Sequence, residues 1–166
     1  MAIDKIESPN KPCLYFAAPL FSEAERSYNK KVASQLELFF DVFLPQENGG
    51  LFVDMIADGM KPSLAARTVF DIDLRALEKC DILLILLDGR TVDEGAAFEL
   101  GIAYAKGKRC YGLQTDVRRL LPNGNNPMLE ISLESIFASV EELIGWAQSF
   151  TGKTITRGSC VARKSR

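Results

Sequence analysis

The run Ile-Leu-Leu-Ile-Leu-Leu at positions 82–87 constrains the architecture of this 166-residue chain more than any other stretch. Six apolar residues in a row lack the alternation of a half-exposed strand and fit a strand covered on both faces, as at the centre of a parallel sheet. The loop Asp88-Gly89-Arg90-Thr91-Val92 follows, then Asp93-Glu94-Gly95-Ala96-Ala97-Phe98-Glu99-Leu100-Gly101 and a small-residue segment that reads as helix. In open parallel sheets, ligands bind where the carboxyl end of a strand hands over to a helix. Glu99 stands at such a handover as a lone carboxylate among Ala96, Ala97, Phe98, Leu100 and Ile102, an awkward place for a charge.

The other elements fit around this one. A short apolar run at 13–18, containing Tyr15, reads as the first strand and stops at Pro19. Ser22 and Glu25 have the spacing of a capping box that opens a helix running to about Phe40. A brief strand at 41–44 ends at Pro45, and Gln46-Glu47-Asn48-Gly49-Gly50 reads as a polar, flexible loop at the carboxyl edge of the sheet. Ser63 is the expected cap of a helix over 64–79. On that wheel Val69, Ile72, Ala76 and Leu77 share a face, Asp71 and Arg75 lie opposite, and Asp73 falls amid the apolar face.

Further strands are expected at 109–113 and near Ile136. The segment 114–130 between them reads as a long irregular loop, and a second capping box at Ser139 opens a last helix to about Phe150. The order βαβαβαβαβα predicts an α/β fold: a doubly wound, five-stranded parallel sheet in the flavodoxin-like order 2-1-3-4-5, with helices on both faces. Residues 1–11 read as a flexible leader, 12–152 as one domain and 153–166 as a basic, disordered tail.

Composition removes whole classes of chemistry. The chain has no histidine, which excludes Ser-His and Cys-His nucleophilic pairs and every His-ligated metal site. Cys13, Cys80, Cys110 and Cys160 show no Cys-x-x-Cys spacing and read as reduced, buried thiols. A net charge of −2 offers no electrostatic case for nucleic acid or a membrane surface, and no apolar span or secretory start is present. The expectation is a soluble, cytoplasmic protein with a small-molecule ligand, no metal and no cofactor. No glycine-rich turn follows the first strand, where Ala17-Ala18-Pro19-Leu20-Phe21 stands, so dinucleotide and P-loop readings are weak.

What remains is a set of carboxylates, Asp73, Asp93 and Glu99, with the phenol of Tyr15. Glu99 is six residues past Asp93, about 240° round a helix, so Asp93 belongs at the N-cap rather than on the face of Glu99. Two acids held at different heights over one cleft are what glycosyl transfer uses, one at the anomeric carbon and one for the leaving group's proton. Blander readings stand beside this: Glu99 in a solvated stripe with Lys106, Asp93 as a plain cap, and Tyr15 as core. Asp73 either lines a polar cavity or is satisfied by a neighbour.

Tyr15-Phe16-Ala17-Ala18, Asp71-Ile72-Asp73-Leu74, the stretch 93–101 with Ala103-Tyr104-Ala105, and Asn126-Pro127-Met128 together resemble the nucleoside 2-deoxyribosyltransferases over residues 13–150. The resemblance implies a nucleophilic Glu99 that forms a deoxyribosyl ester at C1′, held by a hydrogen bond from Tyr15. Asp73 and Asp93 would bind the base and move its proton. Asn126, with Met128 nearby, would complete a neighbouring subunit's site at the sugar 5′-hydroxyl, so the enzyme would be a homo-oligomer acting on nucleosides and free nucleobases in nucleotide salvage. Gln46, Phe21, Asp71, Asp88 and Gly95 would join the substrate-binding set, with Phe21 and Phe52 lining the base cleft. Some family members end their chain inside the site, and the basic tail here departs from that. Two alternatives stay open: an N-glycosidase of nucleosides or 2′-deoxynucleoside 5′-monophosphates, and a non-catalytic sensor of nucleotide-derived ligands.

Overall fold

The computed structural model describes residues 11–119, 121 and 124–160, with side chains to residue 152. Residues 1–10 of the leader expected at 1–11, and the end of the basic tail, 161–166, lie outside the described residues. The chain runs β1 (Cys13–Ala17), α1 (Glu23–Leu36), β2 (Asp41–Phe43), a π-helical turn (Pro45–Gly49), α2 (Phe52–Ala57), α3 (Pro62–Lys79) and β3 (Ile82–Leu86). It continues through α4 (Glu94–Ala105), β4 (Arg109–Leu113), α5 (Pro127–Glu130), β5 (Ser135–Phe137) and α6 (Val140–Cys160). All five strands are parallel, in the expected order 2-1-3-4-5. Among the described residues no helix is long and apolar enough to cross a membrane.

The alternation of each strand sorts its side chains between two cores. Leu14 and Phe16 of β1 face α1 and α6, packing with Val32, Leu36, Leu143 and Ala147. Tyr15 and Ala17 face α3 and α4, packing with Leu77, Leu83, Ile85 and Leu100. Every residue of β3 is buried, as a strand with helices on both sides requires. The residue that carries the phenol is thereby committed to the same face as the helix that carries Glu99.

Local signals decide the ends of the elements. Ser22 and Glu25 form the expected capping box, and α1 stops at Leu36, short of Phe40. Ser63 is not the cap of α3: Lys61 is, and Pro62, with its fixed φ and missing N–H, takes the first helical position. The loop expected at 46–50 is instead a π-helical turn with Pro45 and Gly49 buried, closed by a bond from the Leu44 N–H to Asn48 Oδ1 of 2.8 Å. Helix α4 ends in a Schellman arrangement, with the N–H groups of Gly107 and Lys108 returning to the carbonyls of Tyr104 and Ala103 and Gly107 at φ 70°. The last helix continues to Cys160, ten residues past Phe150.

One expectation for the cysteines is corrected. Cys13 and Cys80 are joined as a disulfide, with Cα atoms 4.5 Å apart. They are 67 residues apart in sequence, and pairing of β1 with β3 brings them together, so spacing alone holds no trace of it. Cys110 is a free, buried thiol, as expected.

Candidate functional site

The site is assembled at the carboxyl edge of β1 and β3 from side chains that each element delivers for its own reason. Tyr15, fully buried, lies on the α4 face of β1, and the β1–β2 register sets it beside Phe43, whose ring stacks on it at 5.2 Å between centroids. Its hydroxyl donates a hydrogen bond of 2.6 Å to Glu99 Oε1. Glu99 thus points inward to the sheet. The solvated stripe with Lys106 is ruled out, for Lys106 reaches Glu78 instead, at 3.1 Å.

Burial controls the protonation of this cluster. It pushes Glu99 up to about 8 from its usual 4.5; the Tyr15 hydrogen bond opposes the shift, while the charges of Asp73 and Asp93 add to it. Burial also raises Asp73, to about 6. The Tyr15 hydroxyl is driven far above its usual range, by burial first and then by the charges of Glu99 and Asp73, so it stays a donor. These titrations put Tyr15, Asp73, Asp93 and Glu99 in one electrostatic neighbourhood, although they come from β1, α3 and the first two turns of α4. Asp73 Oδ1 is buried and has no hydrogen-bond partner among the described residues.

Asp93 is the N-cap of α4, its Oδ1 accepting from the Ala96 N–H at 2.8 Å. A side chain at Gly95 would start 3.1 Å from that same oxygen, so the glycine leaves the cap room. Phe21 is 77% exposed, and Phe52 is 43% exposed at the start of α2.

Other expected site residues have tasks elsewhere. Both ends of the Gln46 amide are engaged internally: Nε2 donates to the Arg26 carbonyl at 2.9 Å, and Oε1 accepts from Asn29 at 3.1 Å. Asp71 pairs with Arg67 at 2.9 Å. It lies two residues and about 200° from Asp73 round α3, and so is not brought into the cluster. Asp88 accepts from the Thr115 hydroxyl at 2.6 Å and the Asp116 N–H at 2.8 Å, tying down the loop after β4. Asn126 caps α5 with a bond from the Met128 N–H of 3.0 Å, and Met128 is 81% exposed. Asn126 lines a cavity of about 250 Å³ with Gly89, Arg90, Val92, Ala97 and Arg118. Ala97 is two residues from Glu99, about 200° round α4, so this cavity flanks a different side of the helix.

Three contributors escape a reading of the sequence. Phe43 could have been found from strand order, since neighbouring parallel strands set it opposite Tyr15. Asn29 is buried and donates to the Pro19 carbonyl at 2.7 Å, bracing the turn after β1, but only its interruption of an apolar helix face signals this. Gly49, beside Asp73, gives no signal at all. Among the described residues no group of three or more acidic or sulfur ligands is arranged to hold a metal ion.

Comparisons with known proteins bear on this arrangement. A conserved protein of Enterococcus faecalis V583 is 27% identical with a TM-score of 0.67, the match covering 84% of this chain and 98% of that one. A 2-deoxyribosyltransferase of Bacillus psychrosaccharolyticus is 26% identical with a TM-score of 0.65, covering 80% and 90%. A CMP N-glycosidase of Clostridium botulinum, 18% identical with a TM-score of 0.51 over 83% and 98%, has the same fold. No curated protein matches the sequence. The model of the nucleoside 2-deoxyribosyltransferases matches residues 14–163, nearly the whole chain, and the protein belongs to that family.

Proposed function

We propose that this nucleoside-processing enzyme transfers 2-deoxyribose between nucleobases by a retaining double displacement, with Glu99 as the nucleophile. The observation that carries the reading is the 2.6 Å bond from the Tyr15 hydroxyl to Glu99 Oε1, which fixes one carboxylate oxygen and leaves the other for attack. In the first step a Glu99 oxygen bonds to C1′ as the bond from C1′ to the base nitrogen breaks. The electron pair leaves with the base, and a carboxyl proton from the Asp73 and Asp93 side neutralises it. In the second step the nitrogen of an incoming base attacks C1′, its proton returns to the acid, and the Glu99 carboxylate is released.

The raised titrations of Asp73 and Glu99 suit a pair that holds one proton between them near neutrality. The reactive arrangement has Glu99 ionised and Asp73 protonated, and it is a fixed fraction of the singly protonated pair. The pH profile of kcat/KM is then a bell with limbs near 6 and 8, which belong to the pair rather than to either residue. Phe21, in the turn after β1, and Phe52, at the start of α2, are exposed aromatic side chains of the kind that suit the faces of a base. Asn126, exposed and on another flank of α4, and the exposed Met128 beside it in sequence suit a role in a second subunit's site, and the active form we propose is a homo-oligomer.

The test is incubation with deoxyinosine, with and without free adenine. Deoxyadenosine formed only when adenine is present is the expected result. Release of free 2-deoxyribose at the same rate with or without adenine identifies a hydrolase, and the absence of any turnover refutes both.

A further inference from the structure

We infer that Gly49 is a positioning residue for Asp73: the empty space where its side chain would be is what lets the Asp73 carboxyl tuck one oxygen against the turn after β2. The inference rests on the acid-base reading of Asp73 given above. A Cβ at Gly49 would stand 2.8 Å from Asp73 Oδ1, closer than carbon and oxygen pack, whereas its next neighbours, Asp73 Cγ and Phe43 Cζ, would both be at 3.9 Å. The carboxyl oxygen alone is in the way.

Backbone conformation does not explain a glycine here. The glycines with positive φ are 50, 59, 89, 107 and 124, and 49 is not among them. Alanine is therefore permitted by the chain and forbidden by the space. Nor can the turn easily recede, because Pro45 is buried and Asn48 hooks the turn back onto the Leu44 N–H at 2.8 Å. A methyl at 49 drives the carboxyl, the flexible partner, out of its seat.

The seat matters because nothing in it neutralises the carboxyl. Tyr15 of β1 and Glu99 of α4 are the groups whose own titrations feel its charge. Glu47 of the turn is directed outward to Lys30, at 3.4 Å. Arg75, on the same helix as Asp73, donates its Nε to the Asp71 carbonyl at 2.9 Å. An oxygen deprived of water and of donors favours a neutral carboxyl. Gly49 thereby lets Asp73 keep the proton that the departing base requires.

The experiment is a cycle of Gly49→Ala, Asp73→Ala and the double variant. Base exchange between deoxyinosine and adenine is followed against pH, and Tm is measured for each protein. Gly49→Ala is expected to lower the plateau of kcat/KM by about tenfold or more. It also moves the acid limb from about 6 toward the ordinary carboxylate range near about 4. In the Asp73→Ala background the same methyl meets nothing closer than 3.9 Å, and it lowers neither Tm nor the residual rate.

An unmoved acid limb in Gly49→Ala, or an equal fractional loss in both backgrounds, overturns the inference alone. Wild-type exchange by Asp73→Ala overturns it together with the acid-base reading. If Gly49→Ala unfolds, recovery of Tm in the double variant to the Asp73→Ala value supports the inference, and a double variant as unstable as the single one refutes it.

Discussion

The two faces of the sheet are built on the same strands and put their burial to different uses. Toward α1 and α6 the core is apolar and aromatic: Trp146 contacts Tyr111, Phe137, Phe150 and Phe40 with ring centroids between 4.4 and 5.6 Å. Toward α3 and α4 an equally well-covered strand surface holds the Tyr15 hydroxyl, the Glu99 carboxyl and, at its edge, Asp73. Burying a carboxyl opposes folding unless partners offset the loss of water, and Glu99 has one hydrogen bond. The contrast teaches that adjacent residues of one strand, Phe16 and Tyr15, can be committed separately to an apolar core and to a buried polar cluster. The pleat sends them to opposite sides.

The largest test of this division is Glu99→Ala, which should lower base exchange by about 10³-fold or more while the fold, judged by circular dichroism and Tm, persists. A variant that keeps near-native turnover would end the assignment of chemistry to this face. Trp146→Ala is the mirror experiment. Loss of its ring contacts should cost about 3 kcal/mol of stability in a denaturant titration, with kcat/KM of the remaining folded protein unchanged.

Glu99→Gln sharpens the comparison through pH. The folded carboxyl titrates at about 8 and its ordinary value is 4.5. Across that window the folded protein holds a proton that the unfolded chain has released, so wild-type stability falls as pH rises. Glu99→Gln should therefore gain in Tm over the wild type across the same window, most at its alkaline end, and a constant difference would refute the linkage. The smallest effect belongs to the outer surface of α4. Lys106→Ala breaks the exposed pair with Glu78 and should change stability by less than about 0.5 kcal/mol, with no change in turnover.

Much of the frame was legible because hydrophobic pattern reports burial directly. The run at 82–87 announced a central strand, the alternation of strands with helices announced a doubly wound parallel sheet, and the order 2-1-3-4-5 was the flavodoxin-like arrangement that five strands fit. Glu99 and Asp73 were legible as carboxyls set among apolar neighbours, and Asp93 as a cap by its helical phase. Other features were hidden because they depend on what a distant segment does. Gln46 looks like a free amide in a polar loop until Asn29 and Arg26, on α1, are seen to occupy it. Ser63 resembles a cap, but Pro62 beside it decides where α3 begins. Cys13 and Cys80 meet only through strand pairing, and Gly49 acts through an empty space, which no residue pattern encodes.

The cap on α4 has a consequence for anyone who would retune this enzyme. One oxygen of Asp93 is occupied by the Ala96 N–H, and the same carboxylate bears on Glu99, which rides the helix that the cap begins. Substitution at 93 would fray that first turn and disturb Glu99 along with it. Phe21 carries no such double duty: its backbone binds Glu25 and Arg26 while its ring stands free. On the proposed function, Phe21, and not the acids, is the place from which base preference can be changed with the contacts of Asp93 and Glu99 left undisturbed.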